Sequence, residues 1–234
     1  MLVTLATRTF TPEPTAAALR LGALARALAA GGDRVRVLTS RLAPSVARDA
    51  RQLADGGVEP GEGRGLVEVR RAPVLRDRTG AVRGYVSYMS FDVPLVARLL
   101  TGPRPDVVVS EPPPTTGAAV RIACAVRRVP YVYYCADIVS DAAALAGVPG
   151  LVVRTVAGLE SFALRGARRV IAVSDGVACR ARDLGARDVT VVPNGVRVPD
   201  AVATGAPEGF PTCDGPVFVY AGTVAQWLAP EVFV

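Results

Sequence analysis

The 234-residue chain has no histidine, and all 27 of its basic residues are arginine, so lysine is absent as well. Without histidine there is no Ser-His-Asp triad, no Cys-His dyad and no imidazole metal ligand. Without lysine there is no Walker A loop, no Schiff base and no attachment point for pyridoxal phosphate. GC-rich codon usage produces the same bias toward arginine and alanine, so the bias itself does not indicate chemistry. The four cysteines, Cys124, Cys135, Cys179 and Cys213, form no C-x-x-C pair. This spacing argues against a zinc or redox motif and predicts buried free thiols in a reducing cytoplasm. Residues 1–8 lack the basic and long apolar regions of a signal peptide. No apolar run reaches the ~18 residues that span a bilayer. The expectation is a cytoplasmic protein, at most peripheral to the inner face of a membrane.

What is present is an ordinary globular balance, 50% hydrophobic and 21% charged with a net charge of +6, which excludes wholesale disorder. The length suits one large domain or two small ones. Short β-rich runs alternate with Ala/Leu/Arg segments of helical period. Strand 2–6, helix 15–30 with Leu21, Leu24, Ala25 and Leu28 on one face, a Gly31-Gly32 stop and strand 34–39 make one β-α-β unit. Residues 43–64 are rich in glycine and charge and read as irregular. Further strands are expected at 66–71, 106–110, 131–135, 169–173 and 189–192, and helices at 88–100 (despite Pro94), 115–128, 151–164 and 175–184. This alternation predicts an α/β, Rossmann-like doubly wound parallel sheet over residues 1–197. Residues 198–216 read as a Pro/Gly/Ala-rich linker. Residues 217–234 begin a strand of a second domain, too short to complete one of at least ~50 residues.

In such a sheet ligands sit beyond the carboxyl ends of the strands. The loops there are 9–15, 110–116, 136–141, 174–176 and 193–196, and none is a G-x-G-x-x-G dinucleotide fingerprint. Two of them lie in a recognisable pattern. Val170-Ile171-Ala172-Val173-Ser174-Asp175-Gly176-Val177, then Gly185, then Val189-Thr190-Val191-Val192-Pro193-Asn194-Gly195-Val196 resembles the "VIAVSxGV … G … VxVxPNGV" pattern of family 4 glycosyltransferases. The first β-α-β unit, Arg104-Pro105-Asp106-Val107-Val108-Val109 and Tyr220-Ala221-Gly222 extend the resemblance over essentially the whole chain. Gly32-Asp33-Arg34 stands where the family usually has Gly-His-Glu. Asp137-Ile138-Val139-Ser140-Asp141 is similar to the "DLWPE" segment of a subgroup like the L-fucosamine transferases of surface polysaccharide assembly, keeping Asp137 and, conservatively, Asp141. Many members have a histidine one residue before that Asp; here it is Ala136.

The resemblance implies the amino-terminal half of a GT-B fold. It further implies a retaining transferase of polysaccharide biosynthesis, moving a sugar from a nucleotide-diphosphate sugar to a hydroxyl acceptor, a glycan or a lipid-linked sugar. The nucleotide sugar is a co-substrate, and neither cofactor nor metal is expected. In the family the carboxy-terminal domain holds the donor, so the catalytic residues are expected beyond Val234 and the chain alone is expected to be inactive. Two rival readings stay open. One is a non-catalytic Rossmann-like binding module. The other is an unstable gene fragment, because Phe218, Tyr220, Trp227 and Phe233 would form an apolar strand with no sheet to join.

The candidate acceptor-side cleft residues are Glu13, Arg20, Glu111, Asp137, Asp141, Ser174, Asn194 and Gly195, with Gly222 and Thr223 beginning the donor loop. Each has a plainer alternative. Glu13 and Arg20 could be a solvated surface pair, and Glu111 a turn residue before Pro112. Asp137 either faces an acceptor or caps a helix. Ser174 is a good N-cap, which does not preclude an anion at the same N–H groups. Asn194-Gly195 suits a tight turn. The basic run Arg64, Arg70, Arg71, Arg76, Arg78 and Arg83 suits either anionic lipid or, more simply, solvated positions on an irregular loop. Nucleic acid is not expected, because no helix-turn-helix, stacking platform or zinc module accompanies the charge.

Overall fold

The computed structural model describes residues 1–48, 66–77, 82, 84–195 and 215. The chain divides into two compact units, Met1–Asn194 and Gly195–Val234. In the first unit β1 (Leu2–Ala6), α1 (Ala16–Ala30), β2 (Arg34–Ser40), β3 (Val67–Ala72), α2 (Tyr85–Thr101), β4 (Val107–Ser110) and α3 (Pro114–Arg127) follow in order. They are succeeded by β5 (Tyr131–Cys135), α4 (Val139–Leu145), α5 (Gly150–Gly166), β6 (Arg169–Ala172), α6 (Asp175–Asp183) and β7 (Val189–Val191). All seven strands are parallel, in the order β3-β2-β1-β4-β5-β6-β7.

The strands are short and rich in Val, Ile and Tyr because both faces of the sheet are covered, and parallel sheets need that cover. Alternate residues go to opposite cores. Val108 and Tyr133 join Phe91, Leu95, Val120 and Leu164 on the α2/α3/α5 side. Val109 and Tyr134 join Leu5, Leu21 and Val37 on the α1 side. Each such side chain, fully buried, contributes about 1.5–3 kcal/mol. Gly117 lets α3 approach closely, since a Cβ there would stand 2.5 Å from the Tyr133 ring and 2.8 Å from the Ala163 methyl.

The α/β parallel sheet is as expected, with four departures. Helix α4 occupies part of what reads as the loop 136–141. Residues 44–48, expected to be irregular, are helical, while 49–65 lie outside the described residues. Helix α2 begins three residues earlier than its pattern, at Tyr85, and carries Pro94 inside it. Pro94 is exposed, so its ring faces water and the core side of the helix is undisturbed. Cys124 and Cys135 are buried free thiols, but Cys179 is exposed, against the expectation. Cys213, the linker 198–214 and the strand expected after 216 lie outside the described residues. Among the described residues no helix is long and apolar enough to cross a membrane.

Candidate functional site

The strand order reverses at β1, which lies between β2 and β4 while α2 carries the chain across the sheet. Beyond the carboxyl ends of β1 and β4 the connections run apart to α1 and α3, and this divergence opens a crevice. Glu111 follows β4 directly and is 4% exposed. Arg20, from α1, donates from Nη2 to Glu111 Oε1 at 2.9 Å. The Thr7 hydroxyl lies 3.1 Å from Glu111 Oε2 and 2.9 Å from the Thr9 carbonyl, and its single proton serves one of them at a time. The Arg20 guanidinium also stands 5.8 Å from the Tyr134 ring centroid. Its Nε is buried without a hydrogen-bond partner.

Asp137 follows β5 and completes this group electrostatically. It is exposed, yet the protein around its carboxyl pushes the pKa up from the ordinary aspartate value, with Arg20 pulling it back. Burial likewise raises Glu111, opposed by Arg20 and the Thr7 hydrogen bond and reinforced by Asp137. Two carboxyls with raised pKa and one guanidinium therefore share the crevice. The exposed Asp137 carboxyl here can accept a hydrogen bond from a sugar hydroxyl.

A second polar layer supports the first. Arg8, 8% exposed, donates to the hydroxyls of Thr115 and Thr116 at 3.2 and 3.3 Å, lies 3.9 Å from Asp92 Oδ2 and stacks on Tyr88 at 3.7 Å from its centroid. The Thr116 hydroxyl donates to Asp92 Oδ1 at 2.6 Å. This ties the loop after β1, helix α2 and the start of α3 into one frame. The segment bearing Asp137 is held by Glu160 of α5, fully buried, whose carboxylate accepts from the backbone N–H groups of Val139 and Ser140 at 2.9 and 3.2 Å and from the Ser140 hydroxyl at 2.6 Å. Asp137 does not cap α4, because Glu160 takes those N–H groups. Among the described residues, no group of three or more Cys, Asp or Glu side chains is placed to hold a metal ion.

The other candidates stand apart from this cluster. Glu13 is buried; its Oε2 accepts from the Phe10 N–H at 3.0 Å and its Oε1 lies 3.9 Å from Arg76, so it is neither a surface residue nor a partner of Arg20. Arg71 donates to the carbonyls of Ser40 and Thr11 at 3.0 and 2.6 Å, and Arg76 donates to the Arg41 carbonyl. These two arginines of the basic run therefore pin the β1–α1 loop, which corrects the reading of a solvated loop. Arg70 is held by Glu68, and Arg64, Arg78 and Arg83 lie outside the described residues. Asp141 turns to α6, where Arg180 grips it bidentately at 2.8 and 2.9 Å and holds its carboxyl below the usual range. Ser174 caps α6, accepting from the Val177 N–H at 3.3 Å. Asn194 and Gly195 are exposed beyond β7, and Gly222 and Thr223 lie outside the described residues. Sequence reasoning missed Thr7, Arg8, Asp92 and Glu160. The signal for the last two was an acid placed on the apolar, core-facing stripe of a helix.

Residues 15–195 match the glycosyl transferase 4-like domain, well over half of the chain. The chain belongs to that family. Comparison with curated proteins finds no match. Solved structures similar to this glycosyl transferase 4-like chain include sucrose-phosphate synthase from Thermosynechococcus elongatus, at 13% identity and a TM-score of 0.55, with 83% of this chain and 48% of that one covered. Arabidopsis thaliana UGT89C1 complexed with UDP-L-rhamnose aligns at 13% identity and 0.54, covering 88% and 55%. Anabaena HepE in complex with UDP aligns at 20% identity and 0.50, covering 83% and 44%. The chain thus spans about half the length of these structures. The likeness is one of fold, the Rossmann-like half of GT-B glycosyltransferases.

Proposed function

We propose that this chain is the acceptor-side half of a glycosyltransferase that moves a sugar from a nucleotide-diphosphate sugar to a hydroxyl acceptor. The observation that carries the reading is the Arg20–Glu111 pair with Asp137 in the crevice between β1 and β4, in a chain of the glycosyl transferase 4-like family. HepE and UGT89C1 are seen with UDP and UDP-L-rhamnose, which supports a nucleotide sugar as co-substrate. In this reading Asp137 and Glu111 orient the acceptor, a glycan or lipid-linked sugar of polysaccharide biosynthesis, while Arg20 holds Glu111. Residues 1–197 are proposed to form this half, 198–216 to link it, and 217–234, with Gly222 and Thr223, to open a donor-binding half. The proposed protein works in the cytoplasm or at the inner membrane face, needs no cofactor and retains the anomeric configuration. This chain alone turns over nothing.

Calorimetric titration of the chain with UDP- and GDP-linked sugars, with a thermal melt of the same sample, tests the division of labour. The expected result is a cooperative melt without measurable donor binding. Micromolar donor binding, near about −8 kcal/mol, would move the nucleotide to this half and overturn the assignment. Absence of a cooperative melt would favour the fragment reading.

A further inference from the structure

At the opposite end of the sheet, where β5, β6 and β7 begin, the chain forms a cavity of about 670 Å3, within the size range of small-molecule sites. Arg121, Arg165, Arg168 and Arg187 line it. The one acid in its wall, Asp188, is engaged from outside by Arg169 Nε at 3.0 Å. Arg121 donates to the Phe162 carbonyl and stacks over the Phe162 ring at 4.0 Å. Arg165, Arg168 and Arg187 are exposed, and none of their guanidiniums has a hydrogen-bonding or ion-pair partner among the described residues. The backbone around them is built to receive them. Gly185 has φ of +101°, and a Cβ there would stand 2.5 Å from Arg165 Nε, so the guanidinium packs over a position that only glycine fills without strain.

A cavity of about 390 Å3 at the starts of β1 and β2 provides the contrast. It too is rich in arginine, but Arg36 and Arg70 both bind Glu68, and Arg98 donates to the Arg70 carbonyl at 2.7 Å. Each guanidinium there has an acceptor within the protein. In the larger cavity three exposed guanidiniums line one space whose single acid, Asp188, is already bound by Arg169, so their donors are open to an anion from outside. Arginine binds phosphate oxygens through its planar fork, two bonds at a time. The floor includes Val129 and Pro130, apolar surface for the organic part of an ester.

We propose that this cavity binds a soluble ligand carrying a phosphate or diphosphate group, held by Arg165, Arg168 and Arg187. The site lies away from the β1/β4 crevice, so it stands or falls independently of the acceptor reading. The test is calorimetric titration of the whole chain with inorganic pyrophosphate at physiological ionic strength, where exposed charges more than a Debye length apart are screened. The probe is repeated on the Arg168→Ala/Arg187→Ala double variant and on Arg154→Ala, an exposed arginine on α5 outside the cavity. Sedimentation with phosphatidylglycerol vesicles runs alongside. The expected result is saturable one-site binding, weakened at least tenfold in the double variant, unchanged in Arg154→Ala and accompanied by unchanged melting of both variants. No saturable heat at millimolar pyrophosphate would overturn the proposal, as would equal binding by the double variant. Vesicle binding without pyrophosphate binding would also overturn it, because the edge would then be a membrane-facing surface and not a pocket.

Discussion

Asp137 and Arg20 separate function from stability within one crevice. Asp137 is exposed and its side chain makes no hydrogen bond among the described residues. Asp137→Ala is therefore expected to leave the melting temperature within a degree or two, since surface changes of this kind stay within about 0.5 kcal/mol. On the proposed function it should lower transfer activity in the active enzyme about tenfold or more. Equal losses of activity and stability would make it structural. Arg20 is the opposite case. Its partner Glu111 is 5% exposed at the side chain, so Arg20→Ala strands a buried carboxylate, at about 3–5 kcal/mol for a broken buried pair. Denaturant unfolding of the chain measures this directly, and a loss under about 1 kcal/mol would mean that water already screens the pair. The sequence points to Glu111 and Asp137 because each stands within two residues of a strand's carboxyl end. It does not reveal that Arg20 serves Glu111 and not Glu13, because that choice depends on how α1 lies over β1 and β4.

Helix α4 shows how an element can be invisible locally and secured from a distance. Its seven residues carry no side-chain cap of their own, with Ile138 at the N-cap position, and a helix that short is not stable by itself. Glu160, twenty residues on, supplies the missing acceptor from the core-facing side of α5. Capping rules read along the chain find Thr15 and Ser174, which bond the third N–H of their own helices, but they cannot find Glu160. Glu160→Ala should destabilise the fold by about 1.5–3 kcal/mol, the worth of a hydrogen bond to a charged group. Amide exchange at Val139 and Ser140 should rise at the same time. Exchange that stays slow there would show that α4 is held by packing instead. If this segment opens, Asp137 loses its position as well, so the loss of transfer should exceed what the destabilisation alone explains.

For the whole molecule, the alternation of strands and helices was legible because a parallel sheet covered on both faces forces it. The strand order was not, since nothing in the sequence of α2 says that it crosses the sheet to place β4 beside β1. The same burial sets the response to pH. The chain has no histidine, and burial pushes the thiols of Cys124 and Cys135 up to about 12. Titration of the folded state just above the ordinary carboxylate range therefore falls to displaced carboxyls. Burial raises Glu13, Glu111 and Glu160 above 4.5 and Asp137 above 3.8. A carboxyl raised in the folded state holds its proton longer than in the unfolded chain. Its contribution is full below the unfolded pKa and is lost as pH rises through the folded one. Glu68 and Asp141 are lowered by their arginines, so what they add is lost only on the acid side, below the ordinary carboxylate range. The melting temperature is thus expected to fall as pH rises above the ordinary carboxylate range and to level off once the raised carboxyls are ionised. Glu160→Gln, which removes one raised carboxyl, should make that fall shallower even though the variant melts lower throughout. A profile flat above the ordinary carboxylate range, or one that rises there, would show that water reaches these carboxyls and that the crevice is wetter than its packing indicates.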